Sequence, residues 1–493
     1  GTATGGTATG GGVATGGTAT GGAPASGGVA TGGTATGGVA TSGASTGGAS
    51  TGGIATGGTP ESGGAPTGGV VTGGVAGAGG AETGGAQTGG EAMGGNVPTG
   101  GATACSRPVG SCTAPDVIVT EVDVGSSVTS YGGEGDTEPL PMAIAAMPSG
   151  GSRLAWLGTD ERVYVAELDC EDHLVGTPVS FPAVDLQDVY ADEGGGVVLL
   201  TRDATNSGTD NCGGGQLCGG TSSQCRGIWM VRFDGSGNVV WETQVTNLSD
   251  SRAGYDDGAI FTWWYQHHGR LASDGSNYAA YFGAAISVGS SCVDIHEGDR
   301  MQVVGPTGTL QSSHPDAFDW GLSHAWTSRI VWDPRSSHFA MAAATDNECR
   351  IARPNYTTIA AGACDGTLFN GDLVLSRTGG YWDAWSQGGT IRLEHFGASG
   401  TSDQTIPSAG SSQHPHLVSY GTNYMLLAWA SGSSMAAQVR DSGDGSTVGS
   451  QFTIGVSDHQ YQAFKAYADG SVAYPAAGSG ATSIKVARVM PCN

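Results

Sequence analysis

From residue 105 onward the chain alternates short apolar runs with turns rich in Gly, Asn, Asp and Ser. In residues 275–282 a Gly-Ser-Asn turn leads directly into Tyr-Ala-Ala-Tyr-Phe, and residues 421–429 repeat this order with Gly-Thr-Asn and Tyr-Met-Leu-Leu-Ala-Trp. A tight turn followed at once by an apolar, aromatic run predicts a strand buried in a sheet. Because turn and strand recur, and helical periodicity is nearly absent, we expect an all-β domain of repeated strand modules.

A second pattern, an apolar strand running into a Gly-rich turn, follows the first along the chain. Copies about 40–70 residues apart are expected when each belongs to one four-stranded blade. The seven copies lie at residues 163–168, 230–237, 301–308, 350–353, 391–397, 438–443 and 484–490. They predict a seven-bladed β-propeller with blades at about 140–180, 183–248, 265–312, 322–362, 364–406, 412–454 and 456–490.

An additional strand precedes the first complete blade. Residues 116–122 alternate apolar and polar side chains. Propellers commonly close their ring with a strand from one terminus that joins the last blade, so we expect 116–122 to pair with 484–490. Cys492 lies directly after that strand and would then form a disulfide with Cys105 or Cys112.

Residues 1–104 contain no aromatic residue, Lys, Arg or Cys, and repeat the pentad Gly-Gly-x-Ala/Ser-Thr. Such a composition builds no conventional core, so we expect a Gly/Thr/Ala-rich low-complexity repeat at 1–104 and the propeller at 105–493. Gly is not found at every third position, which excludes a collagen triple helix. Three hypotheses remain: a flexible stalk, with or without O-glycosylation; strands that order by stacking with other chains; and a ladder of Thr-x-Thr triplets of the ice-binding kind.

The charge balance restricts the classes of partner. The formal net charge is -25 and the sequence pI is about 4.5. A protein that binds nucleic acid needs a basic surface to release counterions, so we expect no nucleic-acid partner.

No segment has the roughly 18 apolar residues of a membrane span. The chain begins at Gly1 without Met, and we expect a mature or partial chain whose export signal has been removed.

The ten cysteines predict disulfides rather than a metal site. Their number is even, and no CxxC pair comes with a matching second pair of Cys or His. We therefore expect about five disulfides and a secreted or cell-surface location, where the compartment is oxidising. The cysteines are Cys105, Cys112, Cys170, Cys212, Cys218, Cys225, Cys292, Cys349, Cys364 and Cys492.

The Gly-x-x-Tyr-apolar-Trp order of residues 421–429, with the strand and Gly-rich turn that follow, resembles the repeat of secreted bacterial propellers. Together with the Thr-Gly-Gly-rich residues 1–104, the chain is similar to the stalked surface proteins of myxobacteria and related soil bacteria. The resemblance covers the architecture of the whole chain and implies a seven-bladed propeller displayed outside the cell. It brings no catalytic motif with it.

Histidines recur immediately before the expected innermost strands. Innermost strands of a propeller all begin at the same end of the central channel, so these side chains are expected to converge at one mouth. With neighbouring acids, including Asp458, they would form a metal or acid/base site; alternatively, each histidine hydrogen-bonds the adjacent blade as a structural element. The histidines are His267, His268, His324, His414, His416 and His459, and the candidate ligand-binding residues among them are His268, His324, His416 and His459.

A group of aromatic residues suits the recognition of sugars, whose rings stack on aromatic platforms. The alternative is that they pack between blades. The group comprises Trp263, Trp264, Tyr265, Trp320, Trp326, Trp382 and Trp385, of which the first five are candidate ligand-binding residues.

Other motifs are weak. Residues 441–445 (Asp-Ser-Gly-Asp-Gly) resemble a fragment of a calcium loop without its distal glutamate, and no nucleophile elbow, phosphate loop or dinucleotide fingerprint is present. We therefore expect no cofactor and favour a non-enzymatic extracellular structural protein, whose repeat anchors or polymerises the propeller into a filament or surface layer by self-association. A glycan-binding or adhesion propeller on a flexible stalk, with a cell-surface glycan as partner, is the alternative. A carbohydrate-active enzyme is third, because a pair of catalytic carboxylates is not visible in a sequence.

Overall fold

The propeller is built from 28 short strands within the residues that the structure describes. This computed structural model describes residues 105–130, 141–202, 226–246, 260–261, 269–288, 294–318, 327–344, 349–353, 357–362, 371–387, 390–397, 400–405 and 414–493. The pentad repeat at 1–104, and the boundary expected after it, lie outside these ranges. No helix in the described part of the chain is long and apolar enough to cross a membrane.

The strands follow one another along the chain as short antiparallel segments. The first half comprises β1 (Val117–Asp123), β2 (Met142–Ala146), β3 (Ser152–Leu157), β4 (Arg162–Leu168), β5 (Leu174–Pro182), β6 (Asp185–Asp192), β7 (Gly195–Arg202), β8 (Gly227–Asp234), β9 (Val239–Gln244), β10 (Ile260–Phe261), β11 (Arg270–Ser273), β12 (Tyr278–Val288) and β13 (Asp294–Val304). The second half comprises β14 (Thr327–Asp333), β15 (His338–Ala344), β16 (Cys349–Arg353), β17 (Thr357–Gly362), β18 (Val374–Leu375), β19 (Tyr381–Gln387), β20 (Thr390–Gly397), β21 (Gly400–Thr405), β22 (Pro415–Tyr420), β23 (Tyr424–Ser431), β24 (Ser434–Asp441), β25 (Thr447–Ile454), β26 (Lys465–Ala466), β27 (Val472–Ala477) and β28 (Ser483–Val489).

Six sheets are complete four-stranded blades. Five of them are simple meanders, β2 to β5, β6 to β9, β14 to β17, β18 to β21 and β22 to β25. The sixth has the order β1-β28-β27-β26, so that its outermost strand comes from the start of the domain. The prediction that 116–122 closes the ring on the last blade is confirmed, with Val117 opposite Val489 and Asp123 opposite Ser483.

The remaining sheet departs from the prediction of seven four-stranded blades. Strands β10 and β11 pair with different parts of β12, while β13 pairs with β12 along its whole length. The sheet is therefore only three strands wide. At its outer edge, isolated β-bridges join Met301 to Phe318 and Val304 to Leu310. Among the described residues the count of complete blades is thus six rather than seven, because residues 305–318 touch that edge without forming a fourth strand.

The seven sheets nevertheless form one closed ring. The innermost strands β2, β6, β11, β14, β18, β22 and β26 contact one another in this order, and β26 contacts β2. The described residues form seven buried apolar clusters, one between each pair of neighbouring sheets. A sheet covered on both faces needs continuous apolar strands, which is why every residue of β7 is buried.

The repeated sequence patterns mark defined strand positions. The Gly-Ser-Asn and Gly-Thr-Asn turns connect the first strand of a sheet to the second, and Gly275 and Gly421 in them have φ of 87° and 56°. In this left-handed region glycine avoids the strain of a Cβ. The seven copies of the second pattern lie on the third strand of each sheet, at β4, β8, β13, β16, β20, β24 and β28.

Two disulfides lie in the described part of the chain. Cys112 bonds to Cys492 and so covalently joins the segment before β1 to the segment after β28, as one of the two predicted pairings requires. Cys105 bonds to Cys170. The predicted disulfides of Cys212, Cys218, Cys225, Cys292, Cys349 and Cys364 concern side chains outside the described residues.

Candidate functional site: the central cavity

The innermost strands enclose a central cavity of about 990 Å³. At one end the cavity reaches the turns that follow these strands, where Arg335 and Arg377 are exposed. Its wall includes aliphatic side chains from β2, β6, β11, β14 and β22 and from the segment before β18. Among these residues are Ala145, Val189, Leu271, Val331, Leu373 and Leu417.

At the opposite end, where the innermost strands begin, a polar loop crosses the channel. This loop, residues 458–462 with the sequence Asp-His-Gln-Tyr-Gln, lies between β25 and β26, and all five residues are buried. We call it the plug. Buried polar groups must find hydrogen-bond partners, so the surrounding strands have to supply them.

The contacts of the plug reach across the whole channel. The Arg270 guanidinium of β11 donates to the carbonyl of Tyr461 at 2.6 Å. The Arg329 guanidinium of β14 donates to the carbonyl of Gln460 at 3.5 Å. The Gln462 amide donates to a carbonyl of β2 at 3.1 Å. Since β11 and β14 lie opposite β26 in the ring, the plug closes this end of the cavity.

Two histidines, one on β22 and one directly before it, hold the first residue of the plug. The distance from His414 Nδ1 to Asp458 is 2.8 Å, and the distance from His416 Nε2 to Asp458 is 2.5 Å. A carboxylate accepts only, so each imidazole donates from the named nitrogen. Burial raises the pKa of Asp458, but His416 and His414 outweigh it and lower that pKa to about 2.

His459 is enclosed within the plug. Its Nδ1 accepts from the backbone N–H of Tyr461 at 3.2 Å, and its own backbone N–H donates to the Tyr474 hydroxyl at 2.9 Å. Burial lowers the pKa of His459 to about 4. The imidazole is therefore uncharged at neutral pH, and its contacts hold the plug in shape.

Beside the plug, one carboxylate lies between two arginines. Asp372 Oδ1 is 3.3 Å from Arg270 Nε and 3.2 Å from Arg329 Nε. Burial raises the pKa of Asp372, but the two guanidinium groups outweigh it and hold the pKa below its usual range. Burial, with the nearby Arg270, lowers the pKa of Arg329 to about 10, so Arg329 stays charged at neutral pH.

Lys465 completes this end of the cavity. Its ammonium is 3.2 Å from Asp188 Oδ2, which also accepts from the backbone N–H of Leu271 at 2.9 Å. The register of β6 shifts between Leu186 and Asp188, so that the side chains of two consecutive residues, Gln187 and Asp188, both reach the chain at the start of β11. Gln187 accepts from the N–H of Gly269. Arg270, Asp372 and Lys465, which line the cavity here, are called its floor.

Two of the predicted ligand-binding residues lie in this region. His416 contacts Asp458 at the start of the plug, and His459 is part of the plug, so these two residues lie at the same end of the channel. They are buried, and their hydrogen bonds serve the plug. The other candidates, Trp263, Trp264, Tyr265, Trp320, Trp326, His268 and His324, lie outside the described residues.

Other expectations are settled by packing. Trp382 and Trp385 are buried in the apolar clusters on either side of β19, so they are core residues rather than sugar platforms. Within the calcium-loop fragment, Asp441 accepts from the N–H of Gly443 and pairs with Arg377 at 2.8 Å, as in an ordinary turn. No three His, Cys, Asp or Glu side chains of the described ranges are arranged to hold a metal ion.

Sequence reasoning missed the floor. A usable signal was present, since Arg270 and Lys465 of the floor, like His416 beside the plug, each stand five residues before a turn glycine, at Gly275, Gly470 and Gly421. The register of these three residues places them at the same height in the ring. Asp188 and Asp372 have no such marker.

Comparisons with known proteins add little beyond the fold. No protein-family model matches the sequence, and no curated protein matches it. Among solved structures, virginiamycin B lyase from Staphylococcus aureus is similar over 76% of this chain and 100% of its own, with 9% identity and a TM-score of 0.42. The WD40 domain of Toxoplasma gondii coronin covers 79% of this chain and 88% of its own, with 9% identity and a TM-score of 0.40. Likenesses this distant carry no information about ligands.

Proposed function

We propose that the chain is an extracellular, non-enzymatic binding protein whose propeller takes a small molecule in its central cavity. The observation that carries this proposal is a cavity of about 990 Å³ closed at one end by a buried polar plug. Protein interiors are normally close-packed, and ligand sites commonly measure about 300–1,000 Å³. Ion pairs and hydrogen bonds from several sheets hold the floor, so binding would cost little reorganisation.

The carboxylates that line the cavity do not favour catalysis. Asp372 is held between two arginines, and Asp469 pairs with Arg107 at 2.7 Å. Although burial raises both pKa values, the partners of each residue lower them below the usual range. A glycosidase needs one carboxyl group with a raised pKa as its general acid. The cavity therefore supports binding better than sugar hydrolysis.

The two disulfides support a secreted or cell-surface location. Such bonds persist in oxidising compartments and are rare in reducing ones. Cell-surface glycans remain the alternative class of partner, with the aromatic candidates at 263–265, 320 and 326 as the residues that would bind them.

The cavity is tested by filling it. Ala463, directly after the plug, lines the cavity and is partly exposed to it, so Ala463→Trp should occupy space that a ligand needs. The matched control is Ala481→Trp, at an exposed turn residue outside the cavity. Isothermal calorimetry with octan-1-ol, octanoate and octyltrimethylammonium should show binding of at least one probe to the full chain and to Ala481→Trp, with at least tenfold weaker binding to Ala463→Trp. If none of the probes binds, or if both variants bind alike, the proposal is wrong.

We also propose that residues 1–104 anchor or assemble the propeller by self-association. The support is the pentad itself: a spacer needs Gly, Ser and Thr in any order, whereas side chains that stack in register need a fixed period. Deletion of residues 1–100 should leave a folded monomer by light scattering, and the isolated repeat should self-associate. If the truncated protein forms the same assembly as the full chain, or if the repeat peptide exchanges its amides at random-coil rates at high concentration, the repeat is a stalk.

A further inference from the structure

Among the side chains that line the cavity, cations outnumber carboxylates, although the protein is strongly acidic. Each lining cation also pairs with a carboxylate: Arg270 with Asp372, Arg335 with Asp333, Arg377 with Asp441 and Lys465 with Asp188. The chain has a formal net charge of -25, yet the side chains that line the cavity include four cations and two carboxylates. At the floor two cations, Arg270 and Lys465, accompany one carboxylate, Asp372. The remaining three charged lining residues lie at the other end of the cavity, in the turns that follow the innermost strands. They are Arg335, Arg377 and Asp469.

Lys465 has unused hydrogen-bonding capacity at the floor. An ammonium group has three donors. Among the described residues the structure gives Lys465 one hydrogen-bond partner, Asp188, whose side chain is 3% exposed and lies behind the lysine. The Lys465 side chain itself is 17% exposed, and it lines the cavity. The remaining donors are therefore available to a group inside the cavity.

The use of lysine in this chain is selective. Lys465 and Lys485 are its only lysines, whereas arginine supplies every other cationic side chain. Arg270 is already engaged by Asp372 and by the carbonyls of Gly269 and Tyr461. The floor thus combines an arginine that already has three hydrogen-bond partners with a lysine for which the described residues supply one.

The wall selects for an apolar body. Above the floor the aliphatic side chains of six sheets surround the cavity, and Trp332 adds an aromatic surface. Apolar surface removed from water contributes about 25 cal/mol per Å². A ligand matched to this cavity has one charged end and an apolar remainder.

Resting on the proposed binding function, we propose that the ligand is an amphiphilic organic anion, with a carboxylate or sulfonate at Lys465 and an apolar body along the aliphatic wall. The anion accepts hydrogen bonds from the Lys465 ammonium and lies close to the Arg270 guanidinium. A neutral head group of the same length would lose the charge-assisted hydrogen bond.

The test compares head groups on one chain length. Calorimetry on the full chain should give octanoate at least tenfold tighter binding than octan-1-ol, and weaker binding still of octyltrimethylammonium. Lys465→Met should remove the preference for octanoate, and Lys485→Met should keep it. Because Lys465→Met leaves Asp188 without its lysine, the double variant Asp188→Asn/Lys465→Met is measured too, and it should also lose the preference.

The outcomes separate this inference from the function on which it rests. If the three probes bind equally well and Ala463→Trp blocks them, the cavity is a binding site but the preference for anions is wrong. If none of the three probes binds, both the proposed binding function and the preference for anions are wrong. As an independent readout, octanoate should protect Lys465 but not Lys485 from acetylation, measured by mass spectrometry; equal labelling of Lys465 with and without octanoate would overturn the assignment.

Discussion

At the scale of single residues, one trio of side chains joins neighbouring sheets. Asp192, at the end of β6, accepts from the Tyr278 hydroxyl of the next sheet at 2.6 Å and pairs with Arg232 at 3.0 Å. The Arg232 guanidinium lies 5.8 Å from the centre of the Tyr278 ring. The tyrosine that follows the Gly-Ser-Asn turn therefore has a function in addition to filling the core.

The same trio recurs at a second junction, where Tyr381 donates to Asp333 at 2.6 Å and Arg335 pairs with Asp333.

Tyr278→Phe and Tyr381→Phe should each lower the free energy of unfolding by about 1–2 kcal/mol, because a hydrogen bond to a carboxylate is lost. Denaturant unfolding measures this. Tyr424 stands at the same place in its repeat, but its hydroxyl has no hydrogen bond to a described residue. Tyr424→Phe is therefore the matched control. It should change the free energy of unfolding by less than about 0.5 kcal/mol. Equal losses in all three variants would contradict this role.

At the scale of elements, the plug is a loop that behaves as part of the core. Its five residues are buried, and the loop forms hydrogen bonds with β2, β11, β14 and β22. A polar stretch between two strands normally lies in solvent. Here the channel supplies the partners.

The plug predicts a pH dependence of stability. The pKa of His459 is about 4 in the folded protein and about 6.5 in an unfolded chain. The unfolded state therefore binds the proton first, and the free energy of unfolding should fall as the pH drops from about 6.5 to about 4, by about 3 kcal/mol in total from this residue. His459→Gln, which keeps an acceptor, should have a shallower profile in that window by this amount. Above pH 7.5 the two curves should run parallel; parallel curves at every pH would contradict the assignment.

At the scale of the whole molecule, the ring is closed twice. The β1–β28 pairing closes it by hydrogen bonds, and Cys112–Cys492 closes it covalently over a sequence separation of 380 residues. The Cys105–Cys170 bond spans 65 residues. In the chain-entropy account, a longer loop removes more freedom from the unfolded state.

The double variant Cys112→Ala/Cys492→Ala should therefore lose about 2–5 kcal/mol of stability. Cys105→Ala/Cys170→Ala, the control with the shorter loop, should lose about 1.5 kcal/mol less. Guanidinium unfolding of the oxidised proteins measures both. An equal or larger loss in the second variant would show that local contacts, rather than ring closure, determine the effect.

Several features of the fold followed from the sequence because they depend on neighbouring residues. The turn before Tyr278 and the strand after it are local, so they could be recognised at residues 275–282 and again at 421–429. Their repetition predicted a ring, and propellers commonly close their ring with a strand from one terminus, which placed β1 on β28 and made Cys105 or Cys112 the expected partner of Cys492. Local patterns also placed the third strand of every sheet.

Only the tertiary structure decided the rest, because it depends on residues that are distant in the chain. That the described residues 305–318 form no outer strand beside β13 reflects how this segment meets a sheet edge, which no local period encodes. Arg270 and Asp372 are separated by 102 residues, and Lys465 and Asp188 by 277, yet ring closure brings both pairs to one floor. The sequence drew attention to Asp458 and His459, but the hydrogen-bond partners of residues 458–462 exist only once the innermost strands surround them.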